Sequence, residues 1–338
     1  MILTYILKRL LLALFTLLII LFVSYALLRL APGDPARSDM LAGEAGNMNS
    51  ERSELRQNDD LRKKLNLDKP VFTGFVLWLK AVVIHGDFGE SASVEPGRKV
   101  TEMIGERLPL TLKLNILSIL VTYCCAVFIG VTSASRAGSF YDRAVEVLLF
   151  TLYSLPVMWV GLLLQSLFCE GGKYPLFPLS GTLPENSLNL SLWEYLWQET
   201  LCLTLPVLCL SYGGLAGLSR YTRGSVLQNI RSDFIRTACA KGLNGTVVLW
   251  KHAFGNALIT MITLFSGLLP SLISGSVLVE YIFNLPGMGT LSLQALSSRD
   301  YPLQMALFAF AGALTLAGIF ICDLLYMAAD PRIRLTKR

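Results

Sequence analysis

The 338-residue chain is short of charge: Asp, Glu, Lys and Arg make up 16% of it, against 53% hydrophobic residues. Soluble domains average about a quarter charged residues, so the composition argues against a soluble protein. Histidine is nearly absent. His85 and His252 lie in different connecting segments, which leaves no support for a histidine metal site. The seven cysteines (Cys124, Cys125, Cys169, Cys202, Cys209, Cys239 and Cys322) show neither paired metal spacing nor a secreted disulfide framework. They read as small apolar packing groups. The sequence has no G-x-x-x-x-G-K-[ST] phosphate loop, no H-E-x-x-H, no G-x-S-x-G and no carboxylate pair in the middle of an apolar run. ATP hydrolysis, zinc peptidase chemistry and serine hydrolase chemistry therefore lose their usual signatures. Internal repeats and low-complexity tracts are missing, as is the two-residue alternation of a transmembrane barrel strand.

What the chain does have is long apolar runs. Crossing a hydrocarbon core of about 30 Å takes about 20 helical residues. Six stretches reach or approach that length: Leu10–Leu30, Leu108–Ala134, Ala144–Phe168, Leu201–Ser219, Ala257–Ile282 and Leu303–Cys322. Lipid offers backbone groups no water, so these must be helices. The expectation is an all-α integral membrane protein with six transmembrane helices. The first run follows Lys8 and Arg9, as a secretory signal would, but its apolar core is too long for one. "LAPGDPA" after it offers no small-x-small cleavage site, so it reads as an uncleaved span.

Basic residues in short loops set the orientation. With the N-terminus inside, Lys8, Arg9, Arg136 and Arg143 fall in the cytoplasm. So do Arg220, Arg223, Arg231, Arg236, Lys241 and Lys251, then Arg332, Arg334, Lys337 and Arg338. The two short outer loops hold only Lys173 and Arg299. The chain is thus expected to be N-in and C-in, and its net charge of +5 is mostly a topology signal. The expected organisation is a first span over residues 1–30, an external segment over 31–107 and a transmembrane core over 108–338. In the external segment Leu41–Asn58 reads as flexible and Asp60–Leu67 as a short helix. Val71–Ile84 is apolar but has only 14 residues and contains Lys80. It reads as an amphipathic helix, either lying on the membrane or packed in the external domain. A further short helix is expected near Leu192–Gln198 in the second outer segment.

Between the fourth and fifth runs lies a basic cytoplasmic segment. From Tyr221 to Ile235, apolar Val226, Leu227, Ile230, Phe234 and Ile235 recur at helical spacing. A short helix over Phe234–Lys241 follows, with small Ala238, Cys239 and Ala240, and Gly242 stops it. Leu243, Asn244 and Gly245 turn the chain, and Thr246–Phe254 leads back to the membrane. Two readings stand on the residues alone: an ordinary positive-inside surface helix, or a small-residue helix entering a groove on a partner with basic flanks.

The phrase "DFIRTACAKGLNGTVVLWKHAFGNALI" resembles the cytoplasmic coupling segment of ABC importer permeases, specifically the B-type subunit of the dipeptide/oligopeptide/nickel group. The resemblance continues in "LAPGDPA", "GDFGES", "ERLPLTLKLNI", "LYSLPVMWVGLLL", "YPLFPLSG", "LTLPVLCLSYGGLAGLSRYTRGSVL", "EYIFNLPGMGTL", "SRDYPL" and "DLLYMAADPRIR", in family order along the chain. It implies a permease that forms half of a pathway for di- or oligopeptides, with nickel or another small solute as the alternative cargo. Arg236, Thr237, Ala238 and Gly242 then occupy the coupling motif, and Asp233, Lys241 and Asn244 flank it. The chain departs from the family pattern at Gly255 and Thr260. The implied partners are a homologous second permease, two cytoplasmic ATPase subunits carrying ATP and magnesium, and an external solute-binding protein. This chain itself needs no cofactor, and its place is the cytoplasmic (inner) membrane.

Other residues carry open readings. Pro156, and Pro270 with Gly267 and Gly275, would kink or thin their helices, either to line a pathway or for packing alone. Glu280 either meets a substrate cation or the binding protein, or sits in water. Pro286 and Gly287 in "FNLPGMG" either shape the turn after the fifth run or serve as a gate. Lys113 is expected to snorkel to the interface and Asp323 to form a structural ion pair. A secondary transporter or channel would need charges along its path, and only edge charges are visible. A membrane-embedded enzyme would need one of the missing motifs.

Overall fold

The computed structural model describes residues 2–30, 62, 66, 68–179, 191–258, 261 and 277–329. Pro270, Gly275, Gly267, Thr260 and most of the fifth apolar run lie outside the described residues. So do Leu41–Asn58 and nearly all of Asp60–Leu67. Helices dominate. Among the described residues the only β pairing is two isolated bridges, Glu90 with Lys99 and Cys169 with Phe177. Four helices are long and apolar enough to cross a membrane, over Ile6–Leu30, Val100–Ser135, Leu192–Ile230 and Tyr301–Ile321, with one bent pair as a fifth candidate. The chain is an all-α membrane protein.

It forms two compact units. The first comprises Met1–Pro109 and Gly287–Phe320. Here α1 (Ile2–Leu30) packs against α2 (Val71–Lys80), which continues as a wide turn over Ala81–His85. The apolar 71–84 segment is therefore helical, as expected, and its first part is held on α1. Tyr25 and Phe75 are both buried and meet edge to face at 5.7 Å, and Tyr25 meets Tyr301 at the same distance. Gly74 makes the approach possible: a Cβ there would stand 2.4 Å from the Tyr25 hydroxyl. A second core joins Val100, Met103 and Ile104 to Met288, Leu291, Leu303 and Ala306. Over it, the loop after Ser91 wraps a buried carboxylate. Asp300 Oδ2 accepts from the Ser91 hydroxyl and from the backbone N–H groups of Ala92, Ser93 and Val94 at 2.5–3.1 Å. The donors leave no orphaned charge.

The second unit comprises Leu110–Pro286 and Ile321–Arg338. The remainder of α3 (Val100–Ser135) runs through it. Gly138, with φ 79°, turns the chain into α4 (Phe140–Ser154), and the Ser139 side chain caps that helix by accepting from the Asp142 N–H. The third apolar run was expected to be one span with a kink at Pro156. Instead the helix stops at Ser154 and restarts as α5 (Val157–Phe168), bent by 97°. The cause is local. Pro156 has no N–H to donate, and its ring excludes helical geometry from Leu155, which is extended at φ −82° and ψ 129°. Tyr212 supports the break by donating its hydroxyl to the Leu155 carbonyl at 2.8 Å.

The short helix expected near Leu192–Gln198 is instead the first two turns of α6 (Leu192–Ile230), a 39-residue helix opened by a Ser191–Glu194 capping box. At 1.5 Å per residue it is about 58 Å long, nearly twice the hydrocarbon thickness, so it overruns the apolar stretch at both ends. After α6 come α7 (Asp233–Ala240), the brief α8 (Gly245–Val247), α9 (Val277–Ile282), α10 (Met288–Ser297) and α11 (Tyr301–Ala329). Lys113, expected to snorkel, forms an ion pair with Glu199 of α6. Cys169, Cys202 and Cys209 are buried, while Cys124, Cys125 and Cys239 are exposed. Cys322 has no described side chain.

Candidate functional site: the α7 segment

α7 is a short amphipathic helix sitting beside the end of α6. Ser232, extended at ψ 155°, stands at its N-cap, and the Ser232 N–H donates to the Asn229 carbonyl at 3.0 Å, closing the corner. Ile235 and Ala238, one turn apart, enter a core with Val131, Ala134, Val226, Val248, Ala253 and Ala257. Ala238 was expected on the partner-facing side, but it is buried and anchors α7 to its own chain. Cys239 and Ala240 remain exposed, so two of the three small residues face outward.

Past Ala240 the turn has the geometry of a helix stop. Gly242 adopts φ 76°, its N–H donates to the Cys239 carbonyl at 2.9 Å, and the Leu243 N–H reaches the Ala238 carbonyl at 3.4 Å. These are the paired bonds that close a helix on a left-handed residue. Asn244 then accepts from the Thr246 N–H at 3.1 Å and starts α8. A wide turn over Val248–Ala253 carries the chain on, and Asn229 holds it by donating to the Ala253 carbonyl at 3.1 Å.

The outward surface is charged and apolar together. Asp233, Arg236, Thr237, Lys241, Gly242 and Asn244 are all exposed. Arg236 meets Asp233 at 3.3 Å, but with both side chains at least 80% exposed the pair contributes little to stability. It stays available to a partner. Phe234, Leu243 and Val247, each about 40% exposed, stand beside them. None of these three is singled out as a contact residue by the small-residue motif. Their signal was present, since each is a large apolar residue beside the small-residue motif in a polar segment.

Next to this segment, the start of α4 is tied to α6. Arg223 donates Nε and Nη2 to the two oxygens of Asp142 at 2.7 and 2.6 Å, and Asp142 Oδ2 also accepts from the Gly138 N–H at 2.9 Å. A planar guanidinium fork matches a carboxylate in this way and fixes orientation as well as charge. Neither partner was singled out as a pair from the sequence.

The other candidate residues fall elsewhere in the chain. Pro156 forms the α4–α5 break. Glu280 is 2% exposed, so the water-exposed reading is overturned; Thr111 donates to its Oε1 at 3.2 Å. In the following turn Asn284 adopts φ 49° and the Leu285 N–H donates to the Glu280 carbonyl at 2.8 Å. Pro286 and Gly287 follow, and the Gly287 N–H donates to Thr290 Oγ1 at 3.1 Å, opening α10. The segment thus builds a turn, as one of its two readings expected. Asp323 is half-buried on α11. No group of three metal-ligating side chains occurs among the described residues.

Two family descriptions cover the chain. "Binding-protein-dependent transport system inner membrane component" matches residues 126–335, and the N-terminal domain of the same systems matches residues 2–115. The chain belongs to this family. It is a permease subunit of ABC import, an integral component of the inner membrane and not an enzyme. Membership implies an ATPase and a solute-binding protein as partners. Among its relatives, the oligopeptide transport system permease protein AppB of Bacillus subtilis (strain 168) is 35% identical over 329 residues, covering 97% of this chain and 98% of the relative. The dipeptide transport system permease protein DppB of the same organism is 30% identical and covers 99% of each chain. The di/tripeptide transport system permease protein DppB of Pseudomonas aeruginosa (strain UCBPP-PA14) is 32% identical and covers 92% of this permease and 93% of the relative.

Proposed function

We propose that this permease carries di- or oligopeptides and that α7 is the coupling helix that docks on a cytoplasmic ATPase. The observation that carries the coupling reading is the division of labour on α7. Ile235 and Ala238 fix it to the chain's own core, while Phe234, Arg236, Thr237, Lys241, Leu243 and Asn244 are left facing out. A helix held on one side and bare on the other can transmit a push. α6 leads into it through one corner at Ser232, so displacement of α7 reaches the membrane through a continuous helix. ATP-driven closure of two ATPases would thereby open the pathway alternately to the two sides. Peptide cargo is supported by relatives named for oligopeptides, dipeptides and di/tripeptides. No observation favours nickel.

The full assembly is this chain with a homologous second permease, two ATPase subunits that bind ATP and magnesium, and an external solute-binding protein. Six spans run N-in and C-in. Residues 1–30 form the first, 31–107 face outward and 108–338 form the permease core. Within that core Pro156, Pro270, Gly275, Glu280, Pro286 and Gly287 are candidates for the pathway or its gate.

The test compares Gly242→Asp with the native chain for membrane abundance, ATPase pull-down and import of a labelled dipeptide given the cognate binding protein. The left-handed backbone at Gly242 disfavours any Cβ, and the added carboxylate alters the docking face. Abundance is expected to persist while ATPase capture and import fall together. Full capture and full import would reduce α7 to a basic surface helix.

A further inference from the structure

α4 is loosely seated on α6. Among the residues of α4, only Asp142 and Leu149 are buried. Two clefts lie between the helices. One of about 490 Å³ is lined by Phe150 and Tyr153 of α4 and by Ala216 and Arg220 of α6. The other, of about 190 Å³, has Glu146 and Leu149 on one side and Ser219 and Arg220 on the other. Close-packed interiors transmit a displacement because they hold few voids larger than a water, and this interface has both clefts along it. Two polar grips remain. At the cytoplasmic end Arg223 holds both oxygens of Asp142 at 2.6–2.7 Å, and Glu146 adds its negative charge beside the guanidinium. At the far end Tyr212 donates to the Leu155 carbonyl at 2.8 Å. Tyr212 and Arg223 are eleven positions apart, about three helical turns, so they share one face of α6.

The cytoplasmic grip is joined to α7. Thr222, next to Arg223, stands against Gly130 of α3 with no room for a Cβ between them. Val226, one turn beyond Arg223, packs with Ile235 and Ala238 of α7 and with Val131 and Ala134 of α3. The ends of α3, α6 and α7 are thus one packed block. The chain itself reaches α4 from α3 through the turn at Gly138, and Gly138 also donates to Asp142. We infer that Asp142 and Arg223 are positioning residues for import: their clasp makes α4 follow α7. The inference rests on α7 docking on the ATPase. When the ATPases close, α7 and α6 shift together, and the two-pronged pair, which fixes direction as well as distance, carries α4 with them. The Leu155–Pro156 break at the far end of α4, about 20 Å away, is thereby displaced by an event at the ATPase.

The experiment measures whether α4 and α6 move together. In a cysteine-free background of the assembled transporter, Val147→Cys on α4 and Gln228→Cys on α6, both exposed positions, carry spin labels. The distance between the labels is read without nucleotide and after trapping with ATP and vanadate. With the clasp intact, the same distance is expected in both states. Asp142→Ala with Arg223→Ala removes both charges at once, so neither is stranded, and the trapped state should gain a second, different distance. In proteoliposomes with the binding protein, this double variant should import less labelled dialanine per ATP hydrolysed, by roughly tenfold, the factor carried by one charge-assisted hydrogen bond. ATPase pull-down should persist, because neither residue belongs to α7. Gly130→Ala is the stability control: it strains the same block but keeps the clasp, so its two distances should agree and its import per ATP should stay native at a lower melting temperature. A native distance that changes on trapping, a distance that stays fixed without the clasp, or an import ratio that follows melting temperature rather than the clasp overturns the inference. Gly242→Asp separates it from the reading beneath it. If that variant keeps full ATPase capture, docking by α7 fails and the clasp has nothing to transmit. If capture is lost there and the distances still ignore the clasp, the clasp alone fails. A native chain that imports no dialanine ends the dipeptide reading and leaves the distances to decide.

Discussion

Gly242 and Gly130 are glycines for opposite reasons, and the difference governs what a methyl group does at each. At Gly242 the space is empty, since a Cβ would meet nothing within 4 Å, and the constraint is the backbone at φ 76°. Gly242→Ala should therefore destabilise the turn by about 1–2 kcal/mol through conformation alone. Hydrogen exchange of α7 amides should quicken while the rest of the fold melts as before. At Gly130 the backbone is ordinary and the space is full: a Cβ would stand 2.6 Å from Thr222 Cβ and 2.8 Å from the Ser219 carbonyl oxygen. Neither neighbour is the free end of a flexible side chain. Gly130→Ala should part α3 from α6 and cost about 1–3 kcal/mol, read as a lower melting temperature in detergent. The Asp142–Arg223 pair gives a third residue-scale expectation. Asp142→Asn would leave a two-thirds-buried guanidinium without its counter-charge. Breaking a fully buried pair costs about 3–5 kcal/mol; with Arg223 partly in water, about half of that is expected. Arg223→Lys should also destabilise, because an ammonium cannot make the two-pronged contact.

Among the elements, the broken α4–α5 pair is the least like its sequence. Its residues are as apolar as any other span, and Pro156 alone told of a kink. A proline inside a helix commonly bends it modestly, whereas here the bend is 97°. The rest comes from partners far along the chain: Tyr212 on the Leu155 carbonyl, and Gln165 donating to the Ile282 carbonyl at 2.9 Å. Pro156→Ala restores the missing N–H but leaves those partners in place, so the protein should insert normally with the break largely kept. Pro156→Ala combined with Tyr212→Phe removes both supports. Import should fall by more than the sum of the two single effects on a free-energy scale, as expected of contacting residues. An additive double variant would mean that the break is held elsewhere.

For the whole molecule the testable quantity is orientation. In a cysteine-free background, Lys99→Cys should react with an impermeant thiol reagent in intact cells, and Asn244→Cys only after the membrane is disrupted. Both positions are exposed in the fold, so access across the membrane is the variable measured. Labelling of Asn244→Cys from outside would reverse the topology and remove α7 from the ATPase side.

Composition, run length and the distribution of Lys and Arg determine by themselves that this chain is a helical membrane protein. They act through transfer free energies that depend on residue type rather than on neighbours. The stop at Gly242 was equally legible, because left-handed backbone selects glycine locally. Tertiary structure alone decided that Ala238 turns inward, that Glu280 is buried on Thr111, that Lys113 finds Glu199 and that Asp142 holds Arg223. Each of these depends on a partner between 81 and 169 positions away or on which face of a short helix meets the core. Spacing along one helix cannot supply that, since Phe234, Ile235 and Ala238 are all apolar and only packing chooses which of them is left outside.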